Sequence, residues 1–267
     1  MTDKYAVIGN PIAHSKSPQI HAAFAKQTNQ DISYETVLAP LDGFAATLQD
    51  LINKGFKGAN VTVPFKLEAC KICDSLSARA VSSGSGAVNT LININGKIHG
   101  DNTDGIGLRN DIEQNLGFSI ANKHILILGA GGAAHGILNS LLGAKSITIA
   151  NRTHDKALQL VMAIKDYEAV ASRFESLEKP YDLIINATST GLTDTALPIP
   201  NIVFSQNSLA YDMMYARETL FMAQARANGA QVVDGLGMLV EQAAEAFYLW
   251  RGVRPQTAPV IAMLRAM

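Results

Sequence analysis

Apolar positions along the chain recur at two spacings, and the two alternate. Tyr5–Gly9, Ile32–Leu38 and Gly58–Pro64 are short apolar or alternating runs with the period of strands. Between them Ile20, Ala23 and Phe24, and then Leu41, Phe44, Leu48, Leu51 and Ile52, recur at helical spacing, with Gly55 as a stop. In the third strand run Asn60 and Thr62 fall on one face and Ala59, Val61 and Val63 on the other. A helix over Phe65–Leu76 follows, then a hairpin over Leu91–Gly100 turned at Asn95-Gly96, then a helix that starts in the polar stretch Asp101–Gly107 and runs to Leu116. The second half repeats the alternation. Strands are expected at Ile125–Leu128, Ser146–Ala150, Tyr181–Ala187, Leu209–Tyr215 and Gln231–Asp234, with helices around Ile137–Leu142, Asp155–Lys165 and Thr219–Ala227. The last helix, Met238–Trp250, carries small and apolar residues that return the chain to its first half. This order is that of an α/β protein with two domains, 1–102 with 238–267 and 103–237.

The stretch after Ile125–Leu128 carries the sharpest motif. Gly129-Ala130-Gly131-Gly132-Ala133-Ala134 fits the G-x-G-x-x-G/A fingerprint at a strand-to-helix turn, with Ala134 in the third small position. Gly129 permits the tight turn, Gly131 lets backbone approach a pyrophosphate, and Ala134 lets the helix pack on its strand, while the helix N-terminus receives the negative charge. Such a turn can also be a plain tight connection; the strand, helix and second strand around it favour a dinucleotide site. After that second strand an NAD site usually carries Asp or Glu for the ribose hydroxyls. This chain has Asn151-Arg152-Thr153, and Arg152 can fork onto a 2′-phosphate, with Lys156 adding charge a turn later, so NADP is the expected cofactor. The alternative is that Thr153 caps the next helix and Arg152 is solvated.

Composition narrows the partners. Hydrophobic residues make up 48% of 267 and charged residues 17%, which is a folded globule rather than a disordered chain. A net charge of −1 gives no footprint for nucleic acid or an acidic membrane, so the partner is expected to be a small molecule. Met1-Thr2-Asp3-Lys4 runs straight into the first strand and no apolar run is long enough to cross a bilayer, from which a cytoplasmic protein is expected. Cys70 and Cys73 form a C-x-x-C inside the expected helix Phe65–Leu76. No second Cys or Cys/His pair completes a metal site, so no metal is expected and the cysteines read as packing residues.

Among the polar residues, Lys66 stands where open α/β sheets put their ligands. Lys66 follows Pro64 at the carboxyl end of a strand, Asp104 opens the helix after the hairpin, and Asn89 precedes that hairpin. Each has a plainer reading: a solvated first-turn lysine, and an acidic residue favoured by the helix dipole. Ser15 and Ser17 lie in Asn10-Pro11-Ile12-Ala13-His14-Ser15-Lys16-Ser17-Pro18, where Ser17 is a good N-cap before Pro18 at the first helical position.

Together these segments resemble the shikimate dehydrogenase family from Tyr5 through nearly the last helix. The resemblance rests on Gly9–Pro18, Asn60-Val61-Thr62-Val63-Pro64-Phe65-Lys66, Gly86-Ala87-Val88-Asn89-Thr90, Asp101-Asn102-Thr103-Asp104-Gly105, Asn151-Arg152-Thr153 and Asp234-Gly235-Leu236-Gly237-Met238-Leu239. It implies an N-terminal substrate-binding domain with a mostly parallel sheet, a Rossmann-type NADP-binding domain, and a cleft between them. It also implies NADPH-dependent reduction of 3-dehydroshikimate to shikimate, with Lys66 and Asp104 as the catalytic pair. Ser15 and Ser17 would hold the substrate carboxylate, with Asn60, Thr62, Asn89, Thr103, Tyr215 and Gln242 around the ring and its hydroxyls. Gly129, Ala130, Gly131, Gly132, Ala133, Asn151, Arg152, Thr153, Lys156, Thr188, Met213, Gly235 and Met238 would line the NADP site, in a monomer or homodimer.

Three features depart from the family pattern. Arg79–Ser85 is longer than usual, His135 replaces a common Arg or Lys, and Tyr215–Phe221 is short and lacks a frequent Thr-Pro. An NAD-linked quinate/shikimate dehydrogenase is the nearest alternative, which Arg152 disfavours. Glutamyl-tRNA reductase shares the glycine turn and Asn-Arg-Thr, but Cys70 and Cys73 are misplaced for its nucleophile and the net charge does not suit tRNA. A non-catalytic NADP-binding protein would not need both Lys66 and Asp104.

Overall fold

The computed structural model describes residues 2–267 apart from 83–85, 163, 165–167 and 193–194. The chain divides into two compact units, 1–108 with 239–267, and 109–238.

The first unit opens with β1 (Asp3–Gly9), α1 (Ser17–Thr28), β2 (Ile32–Leu38), α2 (Phe44–Asn53) and β3 (Phe56–Val61). It continues through α3 (Lys66–Ile72), the two-residue β4 (Ser75–Leu76), α4 (Ala78–Ser82), the hairpin β5 (Thr90–Ile94) and β6 (Lys97–Asp101), and the start of α5 (Asp104–Asn110). Its six strands lie in the order β2-β1-β3-β5-β6-β4. β1 is parallel to both β2 and β3, and β5 runs antiparallel to β3 and β6. The hairpin turns at Asn95 and Gly96, both at positive φ as a tight two-residue turn requires. Ala6, Ile8, Phe44, Phe65 and Leu91 form the centre of its core.

The second unit is β7 (His124–Leu128), α6 (Gly132–Ile137), β8 (Ser146–Ala150), α7 (His154–Met162), β9 (Ala169–Ser172), β10 (Leu183–Asn186), β11 (Leu209–Asp212), α8 (Leu220–Ala227) and β12 (Gln231–Asp234). All six strands are parallel, in the order β12-β11-β10-β7-β8-β9. Counted along this unit the order is 3-2-1-4-5-6 from β9, the doubly wound arrangement, and it reverses between β7 and β10. β7, β8 and β10 are buried end to end apart from the first residue of β7, as strands covered on both faces must be.

Two helices close the chain, α9 (Leu236–Arg251) and α10 (Ala258–Arg265). From Leu239 onward they belong to the first unit. Trp250 stacks on Tyr5 with ring centroids 4.6 Å apart, and its Nε1 donates to the Leu91 carbonyl at 3.0 Å. Arg251 pairs with Asp3. Gly58 makes room for this contact, since a Cβ there would stand 2.5 Å from Trp250 Nε1 and 2.6 Å from the Leu91 carbonyl.

Several elements differ from those expected. The helix over Phe65–Leu76 stops at Ile72, because Asp74 turns to pair with β6: its N–H donates to the Ile98 carbonyl at 2.8 Å and its carboxylate accepts from the Ile98 N–H at 2.7 Å. Cys73 is therefore the extended residue after the helix, not part of it. Ser17 is the first residue of α1 rather than its N-cap. Lys16 occupies that place, and the Ser15 hydroxyl accepts from the Ser17 N–H at 3.3 Å. The helix expected to reach Leu116 is α-helical only to Asn110 and continues as a π-helical turn over Asp111–Asn115. The helix over Ile137–Leu142 is α6 followed by a 3₁₀ turn over Leu138–Leu141. Leu41 lies outside α2 and is exposed. The strand expected to run to Tyr215 ends at Asp212, whose carboxylate accepts from the Met214 N–H at 2.9 Å and turns the chain. The end of the helix expected at Lys165, and Ser83–Ser85 of the long segment, lie outside the described residues.

The Gly58 contact sets a test of how the C-terminal helix is held. Gly58→Ala is expected to lower the urea midpoint, with a loss of about 1–3 kcal/mol from overpacking. A variant as stable as the parent would mean that Trp250 can move aside at no cost.

Candidate active site

In the first unit the loops after β1 and β3 lie side by side. The Asn10 N–H donates to the Val63 carbonyl at 3.0 Å, and the Thr62 N–H to the Ile8 carbonyl at 2.9 Å. Both loops contain a cis X-Pro bond, Asn10-Pro11 and Val63-Pro64. Thr62 packs against Gly9, where a Cβ would stand 2.5 Å from its methyl group. Ser15 and Ser17 follow on the first loop, and Lys66 opens α3 on the second.

Lys66 Nζ meets Asp104 Oδ2 at 2.5 Å, with the lysine side chain 25% exposed and the carboxylate 6% exposed. The other carboxylate oxygen of Asp104 accepts from Asn89 Nδ2 at 2.8 Å, so the carboxylate is held from two sides. Asn89 also donates to Gln242 Oε1 at 2.9 Å. Its side-chain carbonyl accepts from the Thr103 N–H at 2.9 Å and from Thr90 Oγ1 at 2.9 Å. Asn102 Oδ1 accepts from the Asp104 N–H at 3.0 Å and fixes the start of α5, an Asx turn of the kind that Asp101-Asn102-Thr103-Asp104 favours. Thr103 and Asp104 are thus bound into the first unit, and the division along α5 falls after them, at 108/109. The sequence-based division at 102/103 puts them in the second.

The network extends from the pair through Thr90. Asn60 Nδ2 donates to Thr90 Oγ1 and to the Asn89 backbone carbonyl, each at 3.2 Å, and Asn60 Oδ1 accepts from the Tyr34 hydroxyl at 2.8 Å. Burial raises the Tyr34 hydroxyl pKa well above its ordinary value, with a hydrogen bond to Ser17 acting against the rise. Tyr34 stacks on His21 at 4.1 Å, and burial lowers the His21 pKa to about 3, so this imidazole is neutral. Thus Asn60, Lys66, Asn89, Thr103, Asp104 and Gln242 are drawn into one network of charge, amides and hydroxyls. Tyr34, Thr90 and Asn102 join it without having been singled out in the sequence. Thr90 and Asn102 flank residues that were singled out; nothing in the local pattern marks Tyr34.

The second unit carries the glycine turn at the carboxyl end of β7. Gly129 has φ +104°, a conformation that favours glycine, and a Cβ there would meet the Thr188 methyl and the Ala187 backbone within 3.2 Å. At Gly131 and Gly132 a Cβ would meet no protein atom, so the backbone is open to a ligand, while Ala134 is fully buried against the sheet. Thr188 follows β10 by two residues and lies beside this turn, so the two segments flank the point where strand order reverses. Arg152 and Lys156 are exposed beyond the carboxyl end of β8, and Asn151 Nδ2 donates to the Thr153 carbonyl at 2.9 Å. Gly235 sits against Met213, whose carbonyl would stand 2.4 Å from a Cβ, and Met238 is buried. Tyr215 is half-buried, and burial raises its hydroxyl pKa. A glycine turn with backbone open at Gly131 and Gly132, and exposed cations after the neighbouring strand, have the chemistry that suits a phosphate-bearing dinucleotide.

Other sequence features do different work. Cys73 donates to the Ala69 carbonyl at 3.1 Å, and burial pushes its thiol up to about 12, so it is not a reactive pair with Cys70. Arg79, in the long segment, pairs with Asp101 at 2.8 Å and Glu245 at 2.7 Å and ties α4 to β6 and α9. Among the described residues no cluster of His, Cys, Asp and Glu could hold a metal, and no helix is long and apolar enough to cross a membrane.

A doubly wound dinucleotide unit, joined in one chain to an α/β unit bearing a lysine–carboxylate pair, defines a nicotinamide-linked oxidoreductase. Family models match the chain in three segments: the shikimate dehydrogenase substrate binding domain over residues 7–91, shikimate / quinate 5-dehydrogenase over 111–194, and the shikimate 5′-dehydrogenase C-terminal domain over 235–265. Shikimate dehydrogenase (NADP(+)) of Methylobacillus flagellatus is 57% identical over 270 residues, covering 99% of each chain. Among solved structures, an Ael1 enzyme from Pseudomonas putida is 45% identical with a TM-score of 0.92, covering 98% of each chain. Shikimate 5-dehydrogenase from Thermus thermophilus, solved with NADP(H) and shikimate, is 33% identical with a TM-score of 0.88, covering 99% of each chain. The chain belongs to the shikimate dehydrogenase family.

Proposed function

We propose that this chain catalyses the reversible NADPH-linked reduction of 3-dehydroshikimate to shikimate, a step of aromatic amino-acid biosynthesis. The observation that carries the reading is the Lys66–Asp104 pair, 2.5 Å apart and fixed by Asn89, in a chain 57% identical to an NADP-linked shikimate dehydrogenase.

NADPH, when bound, supplies the hydride. The protein must then supply a proton to the carbonyl oxygen as it becomes an alkoxide, and Lys66 is the donor. Asp104 holds the ammonium in place and stabilises its charge, and in the reverse direction Lys66 takes the hydroxyl proton. Asn60, Asn89, Thr103 and Gln242 offer amides and a hydroxyl that suit the ring hydroxyls, joined by Thr62 and Tyr215. Ser15 and Ser17 offer hydroxyls to the carboxylate. The turn from Gly129 to Ala133, Asn151 to Thr153, Lys156, Thr188, Met213, Gly235 and Met238 form the dinucleotide site. Arg152 favours NADP over NAD, and with it this reading over an NAD-linked quinate/shikimate enzyme. Cytoplasmic action as a monomer or homodimer completes the proposal.

The purified protein is expected to oxidise shikimate with NADP⁺, followed by absorbance of the reduced cofactor, and to lose about 10²- to 10⁴-fold in kcat on Lys66→Ala or Asp104→Ala, with KM changing less. Failure of the parent to turn over shikimate with either cofactor would refute the function. Near-parental kcat in a folded variant would refute the pair.

Arg152→Ala is expected to weaken NADP⁺ by roughly tenfold to a hundredfold, the value of one charge-assisted contact, and to leave NAD⁺ nearly unchanged. Lys156→Ala should act in the same sense, more mildly. Titration of both cofactors at one ionic strength reads the ratio, and an unaltered NADP-to-NAD ratio in Arg152→Ala would remove the assignment.

A further inference from the structure

The polar side chains buried at the carboxyl ends of β10 and β11 converge on one carboxylate. Asp212 is fully buried, and its hydrogen-bond partners among the described residues are all uncharged. Its Oδ1 accepts from the Met214 N–H at 2.9 Å. Its Oδ2 accepts from Thr219 Oγ1 at 2.5 Å and from Asn186 Nδ2 at 3.1 Å. Each partner passes the constraint on. Thr219 is the N-cap of α8 and accepts from the Met222 N–H at 3.2 Å. Asn186, 1% exposed, turns its carbonyl to the Thr188 N–H at 3.1 Å and the Thr188 hydroxyl at 2.7 Å. Met214 accepts from the Gly235 N–H at 2.8 Å. A buried carboxylate is costly unless its oxygens are filled, and here they are filled by donors from the segments after β10 and β11, with the segment after β12 tied on through Met214.

We infer that Asp212 is the positioning residue for the nicotinamide half of the dinucleotide site. The inference rests on the cofactor reading above. In a doubly wound sheet the acidic or basic residue that reads the adenosine ribose lies after the second strand, here β8, so the other mononucleotide half falls to β10, β11 and β12. Thr188, Met213 and Gly235 line that half, and Asp212 acts on them through intermediaries. It reaches Thr188 through Asn186, and the Met213–Gly235 contact through the backbone of Met214. Arg152 and Lys156 belong to the other half and take no part in this network.

Two probes separate the halves. NADP⁺ needs both, whereas adenosine 2′,5′-bisphosphate needs only the glycine turn and the β8 side. Calorimetric titration is expected to show that Asp212→Asn, which puts an amide donor against the Asn186 amide donor, weakens NADP⁺ by about tenfold, the loss from one or two buried hydrogen bonds, with the bisphosphate within about twofold of the parent. Exchanging the two groups, Asp212→Asn with Asn186→Asp, restores a donor–acceptor match between the two side chains, with the Thr219 hydroxyl accepting from the new amide instead of donating, and is expected to bring NADP⁺ affinity back to within about threefold. Asn186→Ala cuts the link to Thr188 while leaving the carboxylate in place with its bonds from Met214 and Thr219, and is expected to reproduce the selective loss. Equal weakening of both probes, no weakening of NADP⁺ in the folded single variants, or no recovery in the exchanged pair would each overturn the inference. A parent protein that binds the bisphosphate but not NADP⁺ would overturn the cofactor reading and the inference with it. A parent that binds both, with variants that match it, would overturn the inference alone.

Discussion

Asn89 spends its side-chain amide on two acceptors and its side-chain carbonyl on donors from two residues, and the first unit is organised around that saturation. Its amide joins Asp104 at the start of α5 to Gln242 on α9, and its carbonyl takes Thr103 and Thr90. Residues far apart in sequence are held in one geometry because buried donors and acceptors have no water to turn to; Asn89 is 2% exposed and Asp104 is 4% exposed. Asp104 cannot rotate away from Lys66 without disrupting its bond to the Asn89 amide. The pair is thereby pre-organised before substrate arrives, which is what proton transfer in a short-lived geometry requires.

The second unit solves a different problem. A dinucleotide is long and carries its charge at known places, and the site proposed for it has a rigid part and an accessible one. On the β10–β12 side, buried polar groups hold backbone segments at fixed positions, with Asn186, Asp212 and Thr219 all inside. On the β8 side, Arg152 and Lys156 stay exposed, and a fork reaching a phosphate needs only the right sign and reach. On the proposed reading, buried order suits the half that must align a reacting carbon, and exposed charge suits the half that identifies the molecule.

Much of this was legible in the chain. β8 and β12 occupy the residues their apolar runs predict, and the hairpin turns at Asn95-Gly96 as its dipeptide demands. Lys66 and Asp104 could each be named from a strand end and a helix start, but their pairing followed only from the family resemblance and not from local pattern, since thirty-eight positions separate them and the sheet order brings them together. Where expectation failed, a long-range contact or a side chain capturing the next turn had overridden local preference. α3 stops early because Asp74 pairs with β6, and β11 stops early because Asp212 takes the Met214 N–H. β4 has only two residues, and β9, Ala169–Ser172, has Val170 as its one large apolar side chain, so neither makes an apolar run. Tyr34 and His21 sit on a strand and a helix with no polar motif around them, so their place beside Asn60 emerges only from packing.

In the proposed reaction Lys66 moves the proton, and the network around Asp104 and Asn89 aims it. Chemical rescue of Lys66→Ala by small primary amines tests this most directly, because an added amine can replace a missing proton carrier but cannot repair a missing structural contact. The variant should regain shikimate oxidation in proportion to amine concentration, with the rescued rate following amine basicity across a series of similar size, while NADP⁺ affinity stays at the parental value. A Lys66→Ala protein that binds NADP⁺ normally, yet whose residual rate is the same with every amine and with none, would contradict the assignment of proton transfer to Lys66.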